Sequence, residues 1–186
     1  MGIPLRTLQR MGYNISDDGQ VERMGFEKNK ALVIDHHNKR VTETIGGKDC
    51  KFRSVLERNY AAYLQFLKEH GVIRDWAFEQ TKFTFKDETR GAKEYLIDFD
   101  VLNNDGSFEY HECKGWLKGS DVTKFRRVKK YRPEVVIYLI LSGKSNKAGV
   151  LNRIRQISKY ADRVAYAPDL FSKVKGMVNF IEGKNV

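Results

Sequence analysis

Between Leu56 and Leu67 the apolar side chains recur every three or four residues, with Leu56, Tyr60, Tyr63, Leu64 and Leu67 forming one stripe. That period predicts an amphipathic helix. Ser54 stands where an N-cap belongs, and Gly71 where the glycine after a helix belongs. The pattern then shortens. Residues 75–87 read as one or two strands, 95–102 as a strand, Asn104-Asp105-Gly106 as a turn, and 108–114 as the returning strand. Residues 120–132 are helical and basic, with Val122, Phe125 and Val128 on one side. Residues 134–141 are apolar from Val135 onward, which marks a strand buried on both faces. A helix over 147–161, a strand over 163–167 and a helix over 168–181, with Pro168 in its first turn, complete this part.

Ahead of residue 45 the text differs. Residues 1–12 suggest a short helix or arm, and 13–44 suggest strands joined at Asp17-Asp18-Gly19 and at His37-Asn38-Lys39. Residues 45–49, Ile-Gly-Gly-Lys-Asp, form the expected hinge. The division is thus an N-terminal β-hairpin arm over 1–45 and a main domain over 46–186. A strand, a crossover helix and a buried strand make a parallel pair beside the antiparallel one. The predicted fold class is α/β, a mixed β-sheet core flanked by helices.

Composition narrows the classes. Apolar residues make up 41% of the 186, enough for a packed core. No apolar run approaches the roughly 20 residues of a membrane span, and the N-terminus has no signal-peptide pattern, so a soluble chain without a membrane partner is expected. Two distant cysteines, Cys50 and Cys113, make no disulfide framework or zinc site by spacing. A reducing, cytoplasmic compartment is the expectation. Charge is unevenly spread: residues 1–113 carry 17 basic and 19 acidic side chains, residues 114–186 carry 17 and 5. A basic half favours a polyanion, DNA or RNA, over a merely solubilising surface. Lys124, Arg126, Arg127, Lys129, Lys130 and Arg132 on the basic helix, with Trp116 and Lys118 before it, are the candidate phosphate contacts. Arg153, Arg155 and Lys159 extend that patch or solvate the next helix.

The candidate chemistry lies on the returning strand. Glu112 and Lys114 share a face because strand side chains alternate. Carboxylate-x-Lys also occurs at Asp49 and Glu182, so the match alone decides nothing. If the Asn104-Asp105-Gly106 loop has three residues, with Gly106 left-handed, Asn103 faces Ser107 and Asp98 faces Glu112. Two opposed carboxylates repel, and a hard divalent cation between them removes that cost. A two-residue loop would separate them. Lys114 can orient an attacking water and stabilise charge on phosphorus, and the Cys113 carbonyl can add an oxygen ligand. His111 points to the other face and reads as a core histidine. Glu57 fits a capping box with Ser54, or else reaches the strand acids.

The segments FRSVLERNYAAYLQFLKEHGVIRDWAFEQTKFTF, YLIDFDV and YHECKGW together resemble a phage-encoded family of restriction-endonuclease-like PD-(D/E)xK nucleases. The resemblance covers residues 46–141. It implies that Glu57 is the helix acid, Asp98 the strand acid, and Glu112 and Lys114 the E-x-K pair, with Mg²⁺ or Mn²⁺ held by Asp98, Glu112, Cys113 and Glu57. It also implies DNA cleavage without a small-molecule cofactor. The family's junction-resolving endonucleases, which act on branched DNA, are dimers, so a homodimer acting on Holliday junctions is a further expectation. The chain departs from the motif at Ile97, where the family has proline, and Asp100 offers a second acid on the face of Asp98. Separately, GYNISDDGQV is similar to the small DNA-binding hairpin modules of some homing endonucleases; a plain hairpin arm is the alternative. A metal-dependent endonuclease is therefore the leading expectation. A non-catalytic nucleic-acid-binding protein is the second, and a recruiting protein in a replication or packaging assembly the third.

Overall fold

A computed structural model describes residues 40–182 in full, and the short strands β1 (Tyr13–Ile15), β2 (Val21–Arg23) and β3 (Val33–Asp35) by their pairing. β1 and β2 are antiparallel, with Ile15 opposite Val21. β3 pairs with β4 (Arg40–Ile45), which places the expected strands of this region without describing the turns between them. The predicted N-terminal helix or arm lies outside the described residues.

The expected hinge is instead a hairpin turn. β4 returns as β5 (Lys48–Phe52) through Gly46 and Gly47, whose φ angles are +59° and +77°. Consecutive positive φ values are what a two-residue hairpin loop matched to strand twist requires, and glycine adopts them without strain. Val41, Ile45, Cys50 and Phe52 are buried from this hairpin against α1 (Val55–Glu69), so residues on both sides of the expected 45/46 boundary share one core.

The central sheet has five strands in the order β12-β11-β10-β9-β6. They are β6 (Asp75–Phe78), β9 (Phe99–Leu102), β10 (Phe108–Lys114), β11 (Val136–Leu141) and β12 (Arg163–Tyr166). β10, β11 and β12 run parallel through α2 (Gly119–Tyr131) and α3 (Ala148–Ile157), while β9 and β6 are antiparallel. The protein is therefore mixed α/β, with helices on both faces. β11 is apolar throughout because it is covered twice: Ile137, Leu139 and Leu141 pack toward Phe125, Val128 and Ile157, and Ile140 packs toward Tyr60 and Leu64.

Residues 75–87 take the two-strand form of their reading, and one predicted strand, 95–102, is broken. Residues 75–87 divide at Glu79, which has φ +50°, and continue as β7 (Lys82–Thr84). Residues 95–102 divide at Ile97 and Asp98; β8 (Glu94–Leu96) pairs with β7, and only β9 joins the central sheet. The last helix is also shorter than its pattern. α4 (Ala167–Phe171) passes into one 3₁₀ turn, and Gly176, at φ +80°, ends any continuation. The following segment lies on α1, where Asn59 exchanges two hydrogen bonds with the Ile181 backbone at 2.9 and 3.0 Å. Both cysteines are buried free thiols. No helix among the described residues is long and apolar enough to cross a membrane.

Candidate active site

The β9–β10 turn fixes the register. Gly106 has φ +87° and its N–H donates to the Asn103 carbonyl at 3.1 Å, while Asn103 N–H donates to Ser107 at 2.9 Å. This is the three-residue loop with a glycine bulge. The ladder ends with His111 opposite Phe99, and Asp98, the residue just outside β9, comes to lie beside Glu112. Backbone amides tie the two acids together. Asp98 N–H donates to Glu112 Oε2 at 3.3 Å, and Cys113 N–H donates to Asp98 Oδ2 at 2.8 Å. The break in the strand at Ile97 turns the Asp98 carboxylate toward the Cys113 amide.

Both carboxylates are almost fully enclosed, with Asp98 2% and Glu112 1% exposed. Buried charge needs partners. Lys114 Nζ closes on Glu112 Oε1, and the Arg53 guanidinium reaches Asp98 Oδ1 at 3.1 Å. Arg53 is also ion-paired with Glu79 Oε1 at 2.5 Å. Glu57, on the first turn of α1, is buried as well. It accepts from Arg53 N–H at 2.8 Å and from Ser54 Oγ at 3.0 Å, while its own N–H donates to Ser54 Oγ at 3.1 Å. The cap is thus real, although the amide it satisfies is that of Arg53 and not of Ser54.

These surroundings move the titrations. Desolvation, and then the negative charge of Asp98, raise both Glu57 and Glu112 to about 7, against the pull of Lys114 on Glu112. Burial raises Asp98 too, opposed by Lys114, the Cys113 amide and Arg53. Burial disfavours the Lys114 ammonium, yet Glu112 and Asp98 hold it above the ordinary lysine value. Four acids, Glu57, Glu79, Asp98 and Glu112, face two cations, Arg53 and Lys114. With all of them ionised, two negative charges remain uncompensated. The buried Tyr95 hydroxyl, without a well-aligned hydrogen-bond partner, borders Glu112.

Among the described residues no group of three or more His, Cys, Asp or Glu side chains is arranged to hold a metal ion. The donor chemistry nonetheless fits one: hard oxygen donors from Asp98 and Glu112, with Glu57 and Glu79 close by. The Cys113 side chain is buried in the core beneath α1, so it can contribute only backbone atoms to such a site.

The remaining sequence candidates separate. Asp100 lies opposite Tyr110 and accepts from Thr81 Oγ1 at 2.6 Å, away from Glu112, so Asp98 is the strand acid of the cluster. His111 is a core histidine, its Nδ1 on Tyr60 Oη at 2.8 Å and its Nε2 on Glu109 at 3.2 Å. On α2 the expected row of phosphate contacts divides. Arg127 is buried, hydrogen-bonded to the carbonyls of Arg90 and Ala92 and ion-paired with Glu88. Lys129 bonds the Val135 carbonyl and Asp162. Arg127 therefore ties α2 to residues 88–92, and Lys129 ties it to the approach to β11 and to Asp162, so both expected phosphate contacts are engaged within the fold. Lys130 pairs with Glu88 and Arg132 with Glu134, both in the open. Lys124 lies over the Tyr95 ring at 4.9 Å. Lys118, Arg126 and Trp116 are exposed. Arg53 and Glu79 are the site residues that the motif did not reveal.

Searches against family models, curated proteins and solved structures return no match for this chain.

Proposed function

We propose that this protein is a metal-dependent DNA endonuclease of the PD-(D/E)xK type that hydrolyses phosphodiester bonds, with branched DNA as its preferred substrate. The observation carrying this reading is the juxtaposition of Asp98 with Glu112, tied by backbone amides, with Lys114 on Glu112. Asp98 and Glu112 would hold Mg²⁺ or Mn²⁺, assisted by Glu57, Glu79 and the Cys113 carbonyl. The ion's chemistry there is to acidify a water and to neutralise phosphate oxygens.

The chain's own groups do the rest. The Cys113 amide fixes the rotamer of Asp98, and the Asp98 amide fixes that of Glu112, so the acids are oriented before anything binds. Lys114, held as an ammonium, orients the attacking water and offsets charge developing on the phosphoryl oxygens. Lys118, Lys124 and Arg126 supply backbone-phosphate contacts without reading sequence. The test is cleavage of plasmid and of four-way junction DNA, with and without Mg²⁺, by the wild type, Glu112→Ala and Lys114→Ala. Metal-dependent cutting lost in both variants supports the reading. Absence of cutting on every DNA, or undiminished cutting by the variants, overturns it. A protein that binds nucleic acid without cutting it is the second reading, favoured by Arg53 and Lys114 already pairing with the two central acids.

A further inference from the structure

A cleft of about 280 Å³ opens beside Lys114. Its walls come from three places: the Gly115-Trp116-Leu117 stretch after β10, the loop from Leu141 to Ser145 after β11, and Val150 with Ile154 on α3. The walls are largely apolar, while Lys114 and Lys144 contribute ammonium groups to the lining. Trp116 is 56% exposed, whereas the other tryptophan, Trp76, is 2% exposed and belongs to the core. Trp116 therefore presents a large aromatic surface to solvent.

We infer that this cleft receives an unpaired nucleobase of the substrate strand, stacked on Trp116 and adjacent to the phosphate at the acids. The inference rests on the nuclease reading and narrows its substrate to DNA carrying unpaired or unstacked nucleotides. Lys114 lines the cleft and also pairs with Glu112, so cleft and acid cluster adjoin at this side chain. A ligand that spans both needs an anionic part and a flat apolar part. A nucleotide satisfies both, with an anionic phosphate for the lysine and a flat apolar ring for Trp116, Leu117 and Ile154. A paired base in an intact duplex presents only its edges and cannot enter between such walls; a base out of the stack presents its faces. Lys144, also in the lining, is ion-paired with Asp169 at 3.0 Å and lies over the Tyr166 ring at 5.5 Å. That anchoring holds its charge beside the cleft, where the next phosphate of a single strand would pass.

Trp116 supplies the readout. With Trp76 enclosed, the accessible tryptophan emission comes from Trp116. In EDTA, an oligothymidylate single strand is expected to quench that emission, and a blunt duplex of equal length to leave it nearly unchanged. Measured by the anisotropy of dye-labelled DNA, Trp116→Ala, an exposed substitution, should weaken single-strand binding roughly tenfold or more, the loss of one base–aromatic stack. Its binding to blunt duplex should stay within about twofold. Val150→Phe, which narrows the cleft from the α3 side, should weaken single-strand binding in the same direction. Equal quenching by both DNAs, no quenching, or unchanged single-strand binding by both variants overturns the inference. Because binding is read without metal, the two proposals fail separately. Selective quenching without Mg²⁺-dependent cutting sinks the nuclease alone, and cutting without quenching sinks the base cleft alone.

Discussion

The Arg53 guanidinium joins Asp98 Oδ1 at 3.1 Å to Glu79 Oε1 at 2.5 Å, so one arginine serves two acids of the cluster. Arg53 itself is more than half exposed and comes from the loop between β5 and α1. It occupies the position of a removable counter-ion. Arg53→Ala should lower the melting temperature of the protein in EDTA, because Asp98 is left buried with less compensation. Added Mg²⁺ should then raise the melting temperature by more than it does in the wild type. Thermal melts of both proteins in EDTA and in Mg²⁺ check this; a variant no less stable in EDTA and no more responsive to Mg²⁺ contradicts it.

Neighbouring arginines on α2 should behave oppositely. Arg127 clamps residues 88–92 through two carbonyls and Glu88, while Arg126 is exposed and has no ion pair among the described residues. Arg127→Ala should destabilise the fold by about 3 kcal/mol, since it removes a buried charge that holds several partners. Arg126→Ala should leave stability within about 0.5 kcal/mol. It should instead weaken DNA binding evenly across sequences and reduce the salt dependence by about one counter-ion. Denaturant titration and binding at several salt concentrations separate the two.

This pair also shows what the sequence could and could not carry. Helix α2 was legible from Val122, Phe125 and Val128, but which basic side chains turn inward depends on where residues 88–92 lie, a tertiary matter. The register of Asp98 against Glu112 was legible because a local signal, Gly106 in the left-handed region, sets the loop length. Two strands within 75–87 were one of the readings, but the break at Ile97 was not legible. Local pattern favours continuation there, and the break arises because β7 and β8 leave the sheet to pair with each other. Glu79 and Arg53 lie at such irregular points and outside any motif, so only the folded chain brings them to Asp98.

Acid should act on a different carboxylate. Asp75 joins three elements: its Oδ1 accepts from Lys48 of β5 and from Lys68 of α1, both at 2.9 Å. Desolvation works to raise this group, but the two lysines and the Trp76 amide prevail and lower it from 3.8 to about 2. A depressed carboxylate stabilises the fold while it is ionised. Its contribution is fully present above pH 3.8 and disappears as the pH falls through about 2. Asp75→Asn should therefore melt below the wild type at neutral pH, modestly because the site is partly solvated. The difference should close as the pH approaches 2. A gap that persists at pH 2 would assign the effect to packing.

Glu79 holds a backbone conformation that a non-glycine residue adopts at a cost, φ +50°, and its N–H donates to the Asp98 carbonyl at 2.9 Å. Strain of this kind persists where the surrounding structure over-determines it, and it concentrates at functional sites. If the strain is retained only to deliver the Glu79 carboxylate to Asp98 and Arg53, glycine at this position should be structurally welcome. Glu79→Gly should stabilise the metal-free protein by up to about 1 kcal/mol, as relief of a left-handed conformation and of charge repulsion with Asp98. On the proposed nuclease reading, the same variant should cleave DNA more slowly and need more Mg²⁺ to do so, because one acid beside the proposed metal position is gone. Glu79→Gln separates the two effects: it keeps the strain and loses the charge, so it should share the defect in cleavage and in Mg²⁺ requirement without the full gain in stability. Melting curves in EDTA and Mg²⁺ titrations of cleavage measure both. Slower cleavage with greater stability in Glu79→Gly would show that the fold bears this conformation for the site, whereas a loss of stability would show that the side chain serves the fold.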